Sequence, residues 1–132
     1  QAGPAWAAFV HGSGTGGTIE GIRKFVKSER LPVKVLMVTP AEELHGIQGI
    51  GDGQDFLASP STLDGTISIT TQDAIDRAKL FAKETGILVG ISAGANILAS
   101  ERWVQENDPF GIVVTMLCDR GERYMTIYNR KA

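Results

Sequence analysis

The sequence predicts an α/β domain: a doubly wound, mostly parallel sheet with helices on both faces. Three observations carry that expectation. Short apolar runs alternate with stretches of helical spacing, the pattern of strand–helix units joined by right-handed crossovers. The first apolar run, Ala5 to Val10, breaks into four glycines within six residues and then opens a helix at Thr18-Ile19-Glu20. Finally, three chemically suggestive turns fall at the carboxyl ends of predicted strands, where such sheets bind their ligands. These are the glycine loop, Ser92 and Cys118-Asp119.

Taken in order, the strand at 5–10 leads through Gly12, Gly14, Gly16 and Gly17 into a helix from about Gly17 to Glu29. Ile19, Ile22, Phe25 and Val26 recur at helical spacing and form its expected apolar face, with Arg23, Lys24 and Lys27 on a solvated one. Leu31-Pro32 ends it, and Val33 to Val38 is the second strand. Pro40 to Asp64 has little periodicity; a structureless stretch of that length is usually functional or mobile. Within it, Ile47-Gln48-Gly49-Ile50-Gly51-Asp52-Gly53 alternates glycines with larger residues, as backbone approaching a ligand or a plain surface loop would. Thr66 to Ile69 is the third strand. Thr70-Thr71-Gln72-Asp73 signals a helix start, and Ala74, Ile75, Ala78, Phe81 and Ala82 face inward up to a stop at Gly86. Ile87-Leu88-Val89 reads as a short buried fourth strand turning at Gly90 to Gly94 into a helix that reaches about Asn107. The fifth strand covers Gly111 to Leu117, and the tail to Ala132 is expected to add an edge strand.

Composition narrows the function. The 132 residues suffice for one domain with a genuine core, and a net charge of −2 without basic runs argues against nucleic acid or an anionic membrane as partner. One cysteine, Cys118, excludes an internal disulfide and fits a reducing cytosol, so a cytoplasmic location is expected. No run is apolar enough to span a bilayer and no signal peptide is visible. A start at Gln1 rather than Met suggests a processed product, a trimmed chain or a piece of something longer.

Strand, glycine loop, helix is how a chain builds an anion site from backbone. Glycines expose several N–H groups, and the helix N-terminus adds partial positive charge. Thr15 and Thr18 offer hydroxyl donors. A tight turn alone would need one or two glycines. A nucleotide P-loop is excluded, because Gly17 is followed by Thr18-Ile19 rather than Lys-Ser or Lys-Thr. The dinucleotide pattern G-x-G-x-x-G matches at Gly12, Gly14 and Gly17, but the second strand closes on Thr39-Pro40 without its acidic residue.

Gly90-Ile91-Ser92-Ala93-Gly94 also fits G-x-S-x-G, the nucleophile elbow of hydrolases. That fold places its histidine base after the serine, whereas His11 and His45 both precede Ser92. The plainer alternative for Ser92 is a helix N-cap.

These stretches together resemble the fold-type II enzymes that use pyridoxal phosphate, and look most like the cysteine synthase and cystathionine β-synthase branch. The resemblance rests on Gly14-Thr15-Gly16-Gly17-Thr18, Ile47-Gln48-Gly49-Ile50-Gly51, Gly90-Ile91-Ser92-Ala93-Gly94 and Gly121-Glu122-Arg123-Tyr124, in the family's order over essentially the whole chain. Cys118-Asp119-Arg120-Gly121 looks most like the B-type cysteine synthases. The resemblance implies that Gly14, Thr15, Gly16, Gly17 and Thr18 grip the cofactor phosphate and that Ser92 hydrogen-bonds the pyridine nitrogen. It implies that Gln48 to Gly51 line the substrate side. A neutral hydroxyl at the ring nitrogen makes a weaker electron sink than an acid would, enough for α-proton removal and loss of a β-substituent.

The family's reaction, β-replacement on an activated serine by a sulfur nucleophile, is the implied activity, in cysteine biosynthesis as a transferase or lyase. Partners follow by the same resemblance: an amino-acid substrate, a sulfur donor, a missing N-terminal half and further copies in a homo-oligomer. Two departures stand out. The stretch between Pro40 and His45 is shorter than in the family, and the family's upstream Ser-x-Lys-like motif and asparagine-bearing loop are absent. Lys24, Lys27, Lys34, Lys79, Lys83 and Lys131 lie in no such context, so no catalytic residue and no metal site is assigned. The expectation is a single cofactor-phosphate-binding domain over 1–132, the C-terminal part of a longer enzyme and inactive alone. The alternative is a non-catalytic phosphate-binding or interaction domain.

Overall fold

The computed structural model describes residues 5–51 and 57–130. Asp52 and Gly53 of the second glycine stretch, and Lys131 and Ala132 of the tail, lie outside them. The elements are β1 (Trp6–Gly12), α1 (Gly17–Ser28), β2 (Lys34–Pro40), β3 (Gly65–Ile69), α2 (Thr71–Thr85), α3 (Ile91–Asn107), β4 (Ile112–Thr115) and α4 (Met125–Tyr128), with 3₁₀ turns at Pro60–Thr62 and Gly121–Tyr124. The four strands form one sheet in the order β3-β2-β1-β4, every pairing parallel. Strand order reverses between β1 and β4, so the carboxyl end of β1 is the topological switch point.

Alternation along the strands loads both faces. Phe9, Val35 and Met37 pack with Ile19, Ile22 and Val26 of α1 on one side. Ala8, Val10, Leu36 and Val38 meet Ala74 and Ala78 of α2 and Ala93, Ala95 and Ile97 of α3 on the other. A register shift between Trp6 and Ala8 breaks the alternation and puts Trp6 on the α1 side, its ring stacked on Phe9 at 6.3 Å. Phe25, expected on the apolar face of α1, is instead 59% exposed. No helix among the described residues is long and apolar enough to cross a membrane.

Two expected strands are absent among the described residues. Ile87-Leu88-Val89 is no sheet member; Val89 alone forms a bridge, antiparallel, to Arg120. The reason is the packing of α2 directly on α3, so close that a Cβ on Gly94 would lie 2.9 Å from Ala78 Cβ. Their connection therefore stays on one face instead of crossing the sheet. Nor does the described tail form an edge strand. Gly121 N–H donates to the Leu88 carbonyl at 3.1 Å, and the Tyr128 hydroxyl to that of Val89 at 2.7 Å. These contacts fold the tail as a turn and short helix over residues 88–89.

Candidate functional site

Gly16 is the N-cap of α1, in the left-handed region at φ 88°, and no side chain caps the helix. The loop's carbonyls are turned towards neighbours: Ser13 O accepts from Gly51 N–H at 2.9 Å and Thr15 O from Leu57 N–H at 3.0 Å. Gly14 lies so near the Gly49 carbonyl oxygen that a Cβ would sit 2.8 Å from it. A cleft of about 60 Å³ results, lined by residues 11–19 alone, with Thr15 and Thr18 exposed at its rim. Ser13 Oγ is buried with no partner among the described residues. Glu20 in the first turn would repel an anion, but Arg23 grips it through two hydrogen bonds, at 2.6 and 2.7 Å, and holds its carboxyl below the usual range.

The cleft opens into a cavity of about 420 Å³, whose lining includes Gly14, Thr15, Gln48, Gly49, Ser92 and Asp119. Five of the six expected cofactor contacts thus line the cleft, and the sixth, Ser92, shares the adjoining cavity with Gly14 and Thr15. The second glycine stretch serves two ends. Ile47 and Ile50 anchor it in the core, while Gln48 and Gly49 face the cavity. Ser92 is not an N-cap; Gly90 holds that position and Ser92 is the second residue of α3. The Asp119 carboxylate lies against Gly90, where a side chain would leave it no room, and so faces the positive end of α3. Its Oδ2 accepts from the Tyr124 hydroxyl at 2.7 Å, its Oδ1 is buried without a partner among the described residues, and burial with this bond pushes the Tyr124 pKa up to about 12.

Asn96, one turn beyond Ser92, is wholly buried and absent from the sequence reading. Its Oδ1 accepts from Gly12 N–H at 2.8 Å, and its Nδ2 donates to the Met116 carbonyl at 3.0 Å. Those two bonds fix the amide's orientation, so the 3.2 Å contact from Nδ2 to His11 Nδ1 requires that ring nitrogen to accept. That contact favours a neutral His11 with its proton on Nε2, and burial lowers the ring's pKa in the same sense. Among the described residues no hydrogen bond joins Ser92 to His11, and a ring with its proton on Nε2 offers no acceptor there, so the geometry lends the hydrolase reading no support. Cys118, beside Ser92 and 3.6 Å from Asn96 Nδ2, is a thiol whose pKa burial raises. The one signal for Asn96 in the sequence was its spacing: four residues from Ser92 places both on one helix face.

A parallel sheet with an uncapped glycine loop and a polar cavity at its switch point is the architecture of α/β proteins that hold small molecules. Residues 1–119 match the family of pyridoxal-phosphate dependent enzymes, and the chain belongs to it. It is 36% identical to cysteine synthase B of Campylobacter jejuni over 128 residues, 89% of this chain and 42% of that protein. It is 35% identical to a cysteine synthase of Staphylococcus aureus over 133 aligned residues, 90% of this chain and again 42% of the relative. Among solved structures, cysteine synthase from Entamoeba histolytica superposes with a TM-score of 0.86 at 31% identity, over 97% of this chain and 42% of that one. The chain thus spans about 42% of the length of these relatives. The residues present fit the family's cofactor in kind: backbone donors with an orphaned Ser13 hydroxyl for a phosphate ester, and a cavity with a buried hydroxyl for a ring nitrogen.

Proposed function

We propose that these 132 residues form the phosphate-gripping and ring-nitrogen-contacting portion of a cytoplasmic enzyme of β-replacement, joining an activated serine to a sulfur nucleophile in cysteine biosynthesis. The observation that carries the proposal is the shared cavity: the expected phosphate loop and Ser92 open on one space at the switch point of the sheet. Pyridoxal phosphate supplies the electron sink for loss of the α-proton and the β-substituent. In this reading the N–H groups of Gly14 to Thr18 orient the phosphate, and Ser92 presents a neutral hydroxyl to the ring. Gln48 and Gly49 border the substrate side.

The chain by itself is proposed to be inactive, the remainder of the active site coming from a complementary N-terminal portion of the enzyme. Among the described residues, no lysine lines the cavity. A lysine that links the cofactor and moves the α-proton must be placed in the site, and such general-base placement alone contributes about 10²–10⁴ in rate. The test is to add pyridoxal phosphate, reduce with borohydride, map modified lysines and assay cysteine formation from an activated serine and sulfide. Scattered, substoichiometric labelling with no cysteine formed is expected. One lysine labelled stoichiometrically, with turnover, overturns the partial-site reading.

A further inference from the structure

His11 enters the sequence reading only as a histidine on the wrong side of Ser92, yet the fold gives it a defined place. It ends β1 beside Gly12, and it lines both the cleft of the glycine loop and the larger cavity. Among the described residues its one hydrogen bond is to Asn96, through Nδ1. Among the described residues, the buried side-chain polar atoms left without a partner include Ser13 Oγ, in the same loop. No hydrogen bond to His11 Nε2 is found among the described residues, and the residue that carries it lines both the cleft and the cavity.

We infer that His11 is a further binding residue for a phosphate monoester seated in the glycine loop, donating from Nε2–H at the junction of cleft and cavity. This rests on the proposed phosphate grip and extends it. The chain of constraint is short. Gly12 N–H and the Met116 carbonyl fix the Asn96 amide, the amide makes His11 Nδ1 an acceptor, and the ring proton is left on Nε2. The donor is supplied by tautomer rather than by charge, so it persists at neutral pH, where a histidine titrating freely would be mostly deprotonated with its proton shared between nitrogens. Protonation at Nδ1 would set two donors against each other, since Asn96 cannot turn without abandoning Gly12 and Met116. The same amide joins the strand that carries the loop to the helix that carries Ser92. Phosphate contacts and ring contact are thus held in one register.

The experiment is a titration of the ¹⁵N-labelled chain with inorganic phosphate and with pyridoxal phosphate, followed at the backbone amides and at the histidine ring nitrogens. In the free protein His11 is expected as the Nε2–H tautomer. On titration the amides of Gly14 to Thr18 and His11 Nε2 should move together with one saturation curve. His11→Phe should weaken phosphate binding about tenfold, the scale of one hydrogen bond to a charged group, and His11→Gln, which keeps a donor, should recover most of it. Loop amides that shift while His11 Nε2 stays still overturn the His11 assignment and leave the phosphate grip standing. Loop amides that do not shift overturn the grip, and His11 with it. An Nδ1–H tautomer in the free chain overturns the inference without any variant, whatever His11→Phe does to folding.

Discussion

Gly16 shows how narrow the constraint is at a single residue. At φ 88° a side chain costs about 1–2 kcal/mol, and a Cβ would also lie 2.7 Å from the Ala58 nitrogen. Gly16→Ala is therefore expected to lower the denaturation midpoint and to weaken phosphate binding together, because the same backbone turn does both jobs; a stable variant with normal binding would contradict this. Ser92 lends itself to a chemical test. No histidine follows Ser92 in the chain, and none is hydrogen-bonded to it among the described residues, so a fluorophosphonate should leave Ser92 unlabelled, as mass spectrometry of the tryptic peptide would read. His11 also gives a pH dependence. Its folded pKa is depressed by burial below the ordinary 6.5, so the folded state binds fewer protons than the unfolded one. Its stabilising effect is present above pH 6.5 and is lost as pH falls from there through the folded pKa, by at most about 1.4 kcal/mol per pH unit. Urea midpoints between about pH 7 and 5 should fall for the parent chain and fall less for His11→Gln.

At the scale of elements, helix ends were the most readable part of the sequence. Thr70 caps α2 by accepting from Asp73 N–H at 3.1 Å, and Gly86 ends it in the left-handed region, as their residue types imply. The end of α1 was less legible. Arg30 adopts φ 52°, a conformation usually left to glycine, and Leu31 N–H closes the turn on the Val26 carbonyl at 2.9 Å. Arg30→Gly should therefore raise stability by about 0.5–1 kcal/mol, read as a higher thermal midpoint. The misread elements share a cause. Ile87 to Val89 is apolar and follows a helix stop, which satisfies a strand pattern locally. Whether it joins the sheet depends on how closely α2 and α3 pack, and that is set by Gly94 against Ala78, long-range information that no local window holds. The glycine loop and Ser92 were legible because backbone conformation and helix starts are local. Asn96 and His11 were not, because their roles exist only once β1, α3 and the end of β4 meet.

At the scale of the whole molecule, the sheet ends on open edges among the described residues, and the two edges differ. Gly65 to Ile69 of β3 alternates apolar residues with Thr66 and Ser68, a pattern with polar groups at its margin. The β4 edge is apolar, and Phe110, Ile112, Met116 and Leu117 around it are all exposed. An edge with free backbone groups and apolar flanks is a template for another strand, and protein surfaces usually blunt such edges with charge. Here a formal net charge of −2 provides little repulsion between copies. The 132-residue chain is therefore expected to self-associate through β4, with a weight-average mass that rises with concentration in sedimentation velocity. Ile112→Lys combined with Phe110→Ser should return it to the monomer mass, with an unchanged circular dichroism spectrum showing that the fold survives. A parent chain that stays monomeric at every concentration would sink the prediction. Association that persists undiminished in the double variant would move the interface to another face, while leaving the glycine loop and Ser92 untouched.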